Sequence, residues 1–138
     1  MNYWEGKMTK TTNFEISKKL AEIGFKAENW AEYVWAKDEH GDIGCETKAV
    51  IGEWWIKSEE LCESYDLETL LDALPEKIKV DIDRTPQSKF YFDKISFGYA
   101  KEPKIEFQFY CRIQENESLA DTAGRLIIKL HEKNLIKF

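Results

Sequence analysis

The sequence predicts an α+β fold, an antiparallel sheet of about five strands with helices packed mainly on one face, in the order α-β-β-α-β-β-β-α. Three observations lead there. Ile105, Phe107, Phe109, Cys111 and Ile113 alternate strictly with Glu106, Gln108, Tyr110, Arg112 and Gln114, the period of an antiparallel strand with one dry and one wet face. Leu119, Ala123, Leu126, Ile127 and Leu130 recur at helical spacing and fall on one face of a helix. The strand patterns cluster in runs, with helical patterns at the ends and once between, which indicates layers rather than a parallel βαβ array.

Taken in order, residues 1–11 form a lead-in and residues 12–138 a single domain, a length that supports one core without staples. Asn13 or Thr12 caps a first helix carrying Ile16, Leu20 and Ile23, and Gly24 ends it in the left-handed conformation that suits glycine. Residues 29–37, with Trp30, Tyr33, Val34 and Trp35, form a strand with bulk on both sides. Such a strand is covered on both faces or offers an aromatic face to a ligand. Residues 37–42 make a turn, and residues 46–56 a second strand ending in Trp54 and Trp55, which point to opposite faces. Residues 57–64 read as a charged connection. Asp66 caps a short leucine-bearing helix that Pro75 stops. Ile78, Val80 and Ile82 alternate with charged residues as a half-buried strand.

Residues 90–99 read as one strand whose apolar parity breaks once. Phe90 and Phe92 are in phase, and Ile95, Phe97 and Tyr99 are one residue out of step. A bulge near Asp93 and Lys94 is the simplest reconciliation. The alternating strand 105–113 follows. Ser118 then caps the last helix, with Asp121 as its capping-box partner, and Asn134 stops it, with Leu135 and Ile136 folding back.

Composition narrows the function classes. The chain carries five Trp, six Tyr and eight Phe and a formal net charge of −6. A mildly acidic chain does not rely on phosphate neutralisation, so nucleic acid is not an expected partner. No stretch approaches membrane-spanning length, which points to a soluble, cytoplasmic protein. Cys45, Cys62 and Cys111 lack metal spacing and read as free thiols in a reducing compartment.

Two stretches, Ser64–Pro75 and Ser118–Ile136 with its Leu126-Ile127-Ile128-Lys129-Leu130 core, join the early Ile16–Phe25 run. Together they resemble a loose group of small proteins encoded by bacterial viruses and prophages. The resemblance rests on caps and leucine spacing and implies context only: a phage accessory protein acting inside a bacterium.

No nucleophile elbow, phosphate-binding glycine loop or zinc spacing is present, and neither a metal site nor a cofactor is expected. His40, in Asp38-Glu39-His40-Gly41-Asp42, reads as a turn residue, with an acid–base cluster as the alternative. A binding surface is the better candidate. Tyr110 and Arg112 stand on the wet face of the alternating strand, and Tyr and Arg anchor interfaces and stack on planar ligands. Tyr33, Trp35, Trp54 and Trp55 add aromatic area wherever the core leaves them, and Arg84 at a strand end adds a cation. The expected function is that of a non-enzymatic accessory protein that counters host defence, either by blocking a host protein or by sequestering a small nucleotide-like signal, with homo-oligomerisation possible. The alternatives are a small hydrolase of such a signal and a self-assembling phage structural protein.

Overall fold

The structure is a computed structural model and describes residues 11–27, 31–49, 58–78, 88–92, 96–101 and 106–138. Its fold is α+β, with antiparallel pairing throughout the described strands. Helix α1 (Phe14–Glu22) is capped by Asn13, whose side chain accepts from the Ile16 N–H at 2.8 Å. Gly24 has φ +86°, and the Phe25 N–H donates to the Leu20 carbonyl at 2.9 Å. That left-handed step turns the chain back and buries Phe25 under the helix end.

Strands β1 (Tyr33–Lys37), β2 (Ile43–Thr47) and β3 (Glu59–Ser64) form one sheet in the order β2-β1-β3. Asp38 closes the β1–β2 hairpin, its carboxylate accepting from the N–H groups of His40 and Asp42 at 2.9 Å each. Helix α2 (Leu67–Ala73) is capped by Asp66, which accepts from the Thr69 N–H at 2.8 Å. Strands β4 (Lys77–Ile78), β5 (Ser88–Phe92), β6 (Ser96–Lys101) and β7 (Glu106–Arg112) form a second sheet in that spatial order. Helix α3 (Leu119–Glu132) completes the fold.

Three expectations need correction. The single sheet of about five strands is two sheets, of three and four strands among the described residues. Residues 59–64 are not a connection: β3 pairs with β1, setting Trp35 opposite Cys62 and Tyr33 opposite Ser64. Pairing with a central strand overrides the poor strand propensity of its glutamates. Residues 90–99 are not one bulged strand but the two arms of a hairpin, with Phe90 opposite Tyr99 and Phe92 opposite Phe97. Partners across a hairpin share a face, so a pair of one even and one odd number necessarily breaks the parity along the chain. Of the expected strand after Pro75, Val80 and Ile82 lie outside the described residues.

The helices lie against both sheets. Helix α1 packs on β3 and on α3, α2 packs on α3, and α3 packs on β6 and β7. The helices therefore link the two sheets. Helix α3 is enclosed nearly all round: Ala120, Thr122, Ala123, Leu126, Ile127 and Leu130 are fully buried. Its contact with α1 is close because of Gly124, where an added Cβ would stand 2.5 Å from Ile16 Cγ2. Asn134, with φ 58°, ends the last turn, and the Leu135 N–H donates to the Leu130 carbonyl at 2.9 Å. No helix among the described residues is long and apolar enough to cross a membrane.

Candidate binding cleft

The starts of α1 and α3 meet beside β1, and the chemistry of the region grows from that junction. Thr12, fully buried, ties the start of α1 to the first sheet. Its carbonyl accepts from Ser64 Oγ at 2.6 Å, Trp35 Nε1 at 3.0 Å and Ser17 Oγ at 3.2 Å. Its N–H donates to the Tyr65 carbonyl at 2.9 Å, and its hydroxyl accepts from the Tyr65 N–H at 3.1 Å. Buried polar groups must be paired, and here that pairing fixes where α1 begins and how the Trp35 ring is turned.

Asp121 makes the second tie. Ser118 caps α3 by accepting from the Asp121 N–H at 3.1 Å. The Asp121 carboxylate reaches further than a capping-box partner, because its Oδ1 accepts from the Asn13 N–H at 2.7 Å and so joins the two helix starts. Burial pushes this carboxyl above its usual value and the Glu117 charge adds to the rise, against the lowering effect of hydrogen bonds from Asn13 and Ser118. Glu117 behaves oppositely. Burial acts to raise it, but donation from Arg125, Thr122 and the Gln114 N–H holds it below the ordinary carboxylate range. Arg125 Nε stands 2.5 Å from Glu117 Oε2, and its NH2 group also donates to the Arg112 carbonyl at 2.6 Å.

Between these ties lies a cleft of about 510 Å³. One wall is sheet: Tyr33 and Trp35, two residues apart on one face of β1, with Cys45 of β2 opposite Trp35. The other wall carries Thr11, Asn13, Asn116, Ser118 and Asp121. Val34 and Ala36, on the other side of β1, are buried. One face of this strand is therefore covered, and its aromatic face lines an opening, with Tyr33 37% exposed and Trp35 half-buried. A recess of about 350 Å³ adjoins the cleft, shares Asn13, Asn116 and Asp121 with it, and adds Gln114, Glu115 and Glu117. No lysine or arginine is among the described residues lining either.

Tyr110 and Arg112 form a separate surface. Phe109 and Cys111 face α3 and are buried, whereas Tyr110 is 44% exposed and Arg112 is exposed. Tyr110 pairs with Gly98 of β6, where any Cβ would run into the Tyr110 backbone and the Phe109 carbonyl. Lys129 of α3 donates to the Tyr110 carbonyl at 2.9 Å, with its ammonium 4.8 Å from the Phe109 ring centre.

The structure thus brings Tyr33 and Trp35 together and sets Tyr110 and Arg112 on another element. Trp30, Trp54, Trp55 and Arg84 lie outside the described residues. His40 stands exposed on the β1–β2 turn, 3.5 Å from the exposed Glu39 carboxylate. Among the described residues no group of three or more His, Cys, Asp or Glu is placed to hold a metal ion. Sequence reasoning missed the wall opposite Tyr33 and Trp35, since Asn13, Asn116, Ser118 and Asp121 read there only as caps and loop. No protein-family model, curated protein or solved structure matches this chain.

Proposed function

We propose that the chain is a non-enzymatic binding protein, of the phage accessory kind its sequence resembles. It sequesters a small nucleotide-like signal or blocks a host protein. One observation carries this: two aromatic side chains on one strand line a cleft of about 510 Å³, within the size range of small-molecule sites, and face hydroxyl, amide and carboxylate groups across it. Calorimetry against a panel of cyclic and ADP-ribose nucleotides tests the ligand version. Incubation, denaturation of the protein and chromatography then separate sequestration from turnover: intact ligand supports a binding protein, and products support the hydrolase that would use His40. A silent panel removes the ligand version.

A second reading, a protein partner, is favoured by the exposed Tyr110 and Arg112 on the sheet face opposite α3. These are residue types that dominate interface energetics. Light scattering at rising concentration distinguishes a second copy of the chain from a foreign partner.

A further inference from the structure

Resting on the ligand version of that reading, we infer that the cleft takes the base end of its ligand, a planar heterocycle presenting N–H donors, and leaves any phosphate in solvent. The strand wall supplies ring area. Tyr33 and Trp35 stand about 7 Å apart along β1, a platform on which one flat group can lie, rather than a slot between parallel rings. The Trp35 indole N–H is already given to the Thr12 carbonyl at 3.0 Å, so this side chain offers its ring and no donor. The helix wall adds the Ser118 hydroxyl and the amides of Asn13 and Asn116, which donate as well as accept, and the Asp121 carboxylate. The Ser118 hydroxyl already accepts from the Asp121 N–H and the Asn13 side chain from the Ile16 N–H, so the carboxylate is the acceptor that stands out. An ionised carboxylate only accepts, so it matches the N–H edge of a base such as guanine and repels a phosphate. The adjoining recess adds Glu115 and Glu117, the latter with its charge met by Arg125. Phosphate recognition needs cations or a row of free N–H groups. Here no lysine or arginine is among the described lining residues, and the Asp121 carboxylate already receives the Asn13 N–H at the start of α1.

The test uses guanosine and guanosine 5′-monophosphate as probes, with affinities read by calorimetry. Guanosine is expected to bind about three-fold more tightly than its monophosphate, from repulsion between the phosphate and the Asp121 carboxylate. Tyr33→Ala is expected to weaken guanosine by about ten-fold or more through lost stacking, and Glu132→Ala, exposed at the end of α3 and outside the cleft, to leave it unchanged. Asn116→Lys, at an exposed rim position, is expected to invert the preference toward the monophosphate, an outcome that a purely structural role for Asn116 would not produce. Monophosphate binding ten-fold tighter than guanosine in the unsubstituted protein overturns the inference, as does guanosine affinity indifferent to Tyr33→Ala. A cyclic nucleotide that binds while guanosine is silent, and is unaffected by Tyr33→Ala, overturns the inference and leaves the proposed function standing. Silence of guanosine and of the whole nucleotide panel overturns both the inference and the ligand version.

Discussion

Gly124→Ala sets two effects of known size against each other. In the interior of a helix, alanine is better than glycine by about 1 kcal/mol, so α3 alone would gain. The new methyl, however, would stand 2.5 Å from Ile16 Cγ2, 3.5 Å from Thr12 Cγ2 and 3.6 Å from Leu20 Cδ1. Carbon atoms in good contact sit roughly 3.5–4.0 Å apart, so about an ångström must be found at Ile16. Ile16 cannot supply it by rotation, because a β-branched side chain in a helix has one strongly preferred χ1. Helix α1 must back away, yet its start is held by the Asn13–Asp121 bond at 2.7 Å and by the Thr12 ties to the first sheet. Overpacking of this kind costs about 1–3 kcal/mol, so the net expectation is destabilisation by about 1 kcal/mol. That corresponds to a fall in Tm of roughly 4 °C for a domain of this size. Urea unfolding followed by tryptophan fluorescence measures it. Combining the change with Ile16→Ala makes room for the methyl, so the double variant should lose less than the sum of the singles, with a coupling of about 1 kcal/mol. A Gly124→Ala protein more stable by the full helix-propensity gain, with additive double-variant behaviour, would refute the close approach of α1 and α3.

Four further outcomes follow from the same geometry. Gly98→Ala forces a Cβ into the Tyr110 backbone and to 2.5 Å from the Phe109 carbonyl oxygen, so β6 and β7 must part locally; a loss of more than about 2 kcal/mol is expected in chemical denaturation. Thr12→Ala leaves the buried Tyr65 N–H without its hydroxyl acceptor and should cost about 1–3 kcal/mol in the same assay. Glu117 has its folded-state carboxyl held below the usual value of 4.5, so its stabilising contribution is complete above the unfolded value and is lost as pH falls through the folded one. Glu117→Gln should therefore flatten the acid side of a stability–pH curve, and an unchanged acid limb would count against the Glu117–Arg125–Thr122 network. Cys45 and Cys62 both stand opposite Trp35, on either side of β1. At two strand spacings, about 9.6 Å, they lie beyond disulfide reach, and mass spectrometry after mild oxidation should find no bond between them.

Local signals were legible in the chain and distant ones were not. The caps at Asn13, Asp66 and Ser118 and the stops at Gly24 and Asn134 are decided within a few residues, and each is where its sequence context puts it. The alternation of residues 105–113 correctly separates buried Phe109 and Cys111 from exposed Tyr110 and Arg112. The parity break between Phe92 and Phe97 was visible too, but a bulge and a chain reversal leave the same trace along one strand; only pairing across the hairpin distinguishes them. Strand β3 was hidden because Glu59, Glu60 and Glu63 carry no strand propensity, and its place is set by its neighbour β1. The candidate cleft was half legible: the aromatic excess pointed to Tyr33 and Trp35. The wall that makes them a site depends on Asn13 and Asp121, 108 residues apart, meeting at one hydrogen bond. No local pattern encodes that meeting.

The placement of a ligand on the Tyr33–Trp35 wall is tested most directly by the indole resonance of Trp35 in a two-dimensional NMR titration with guanosine. Its N–H is fixed on the Thr12 carbonyl, so it reports on a ring laid over that wall without being a contact itself. Saturable displacement of the Trp35 signal, abolished by Tyr33→Ala, is the expected result. Shifts confined to the Tyr110–Arg112 strand, or a Trp35 signal unmoved at saturating ligand, would contradict it.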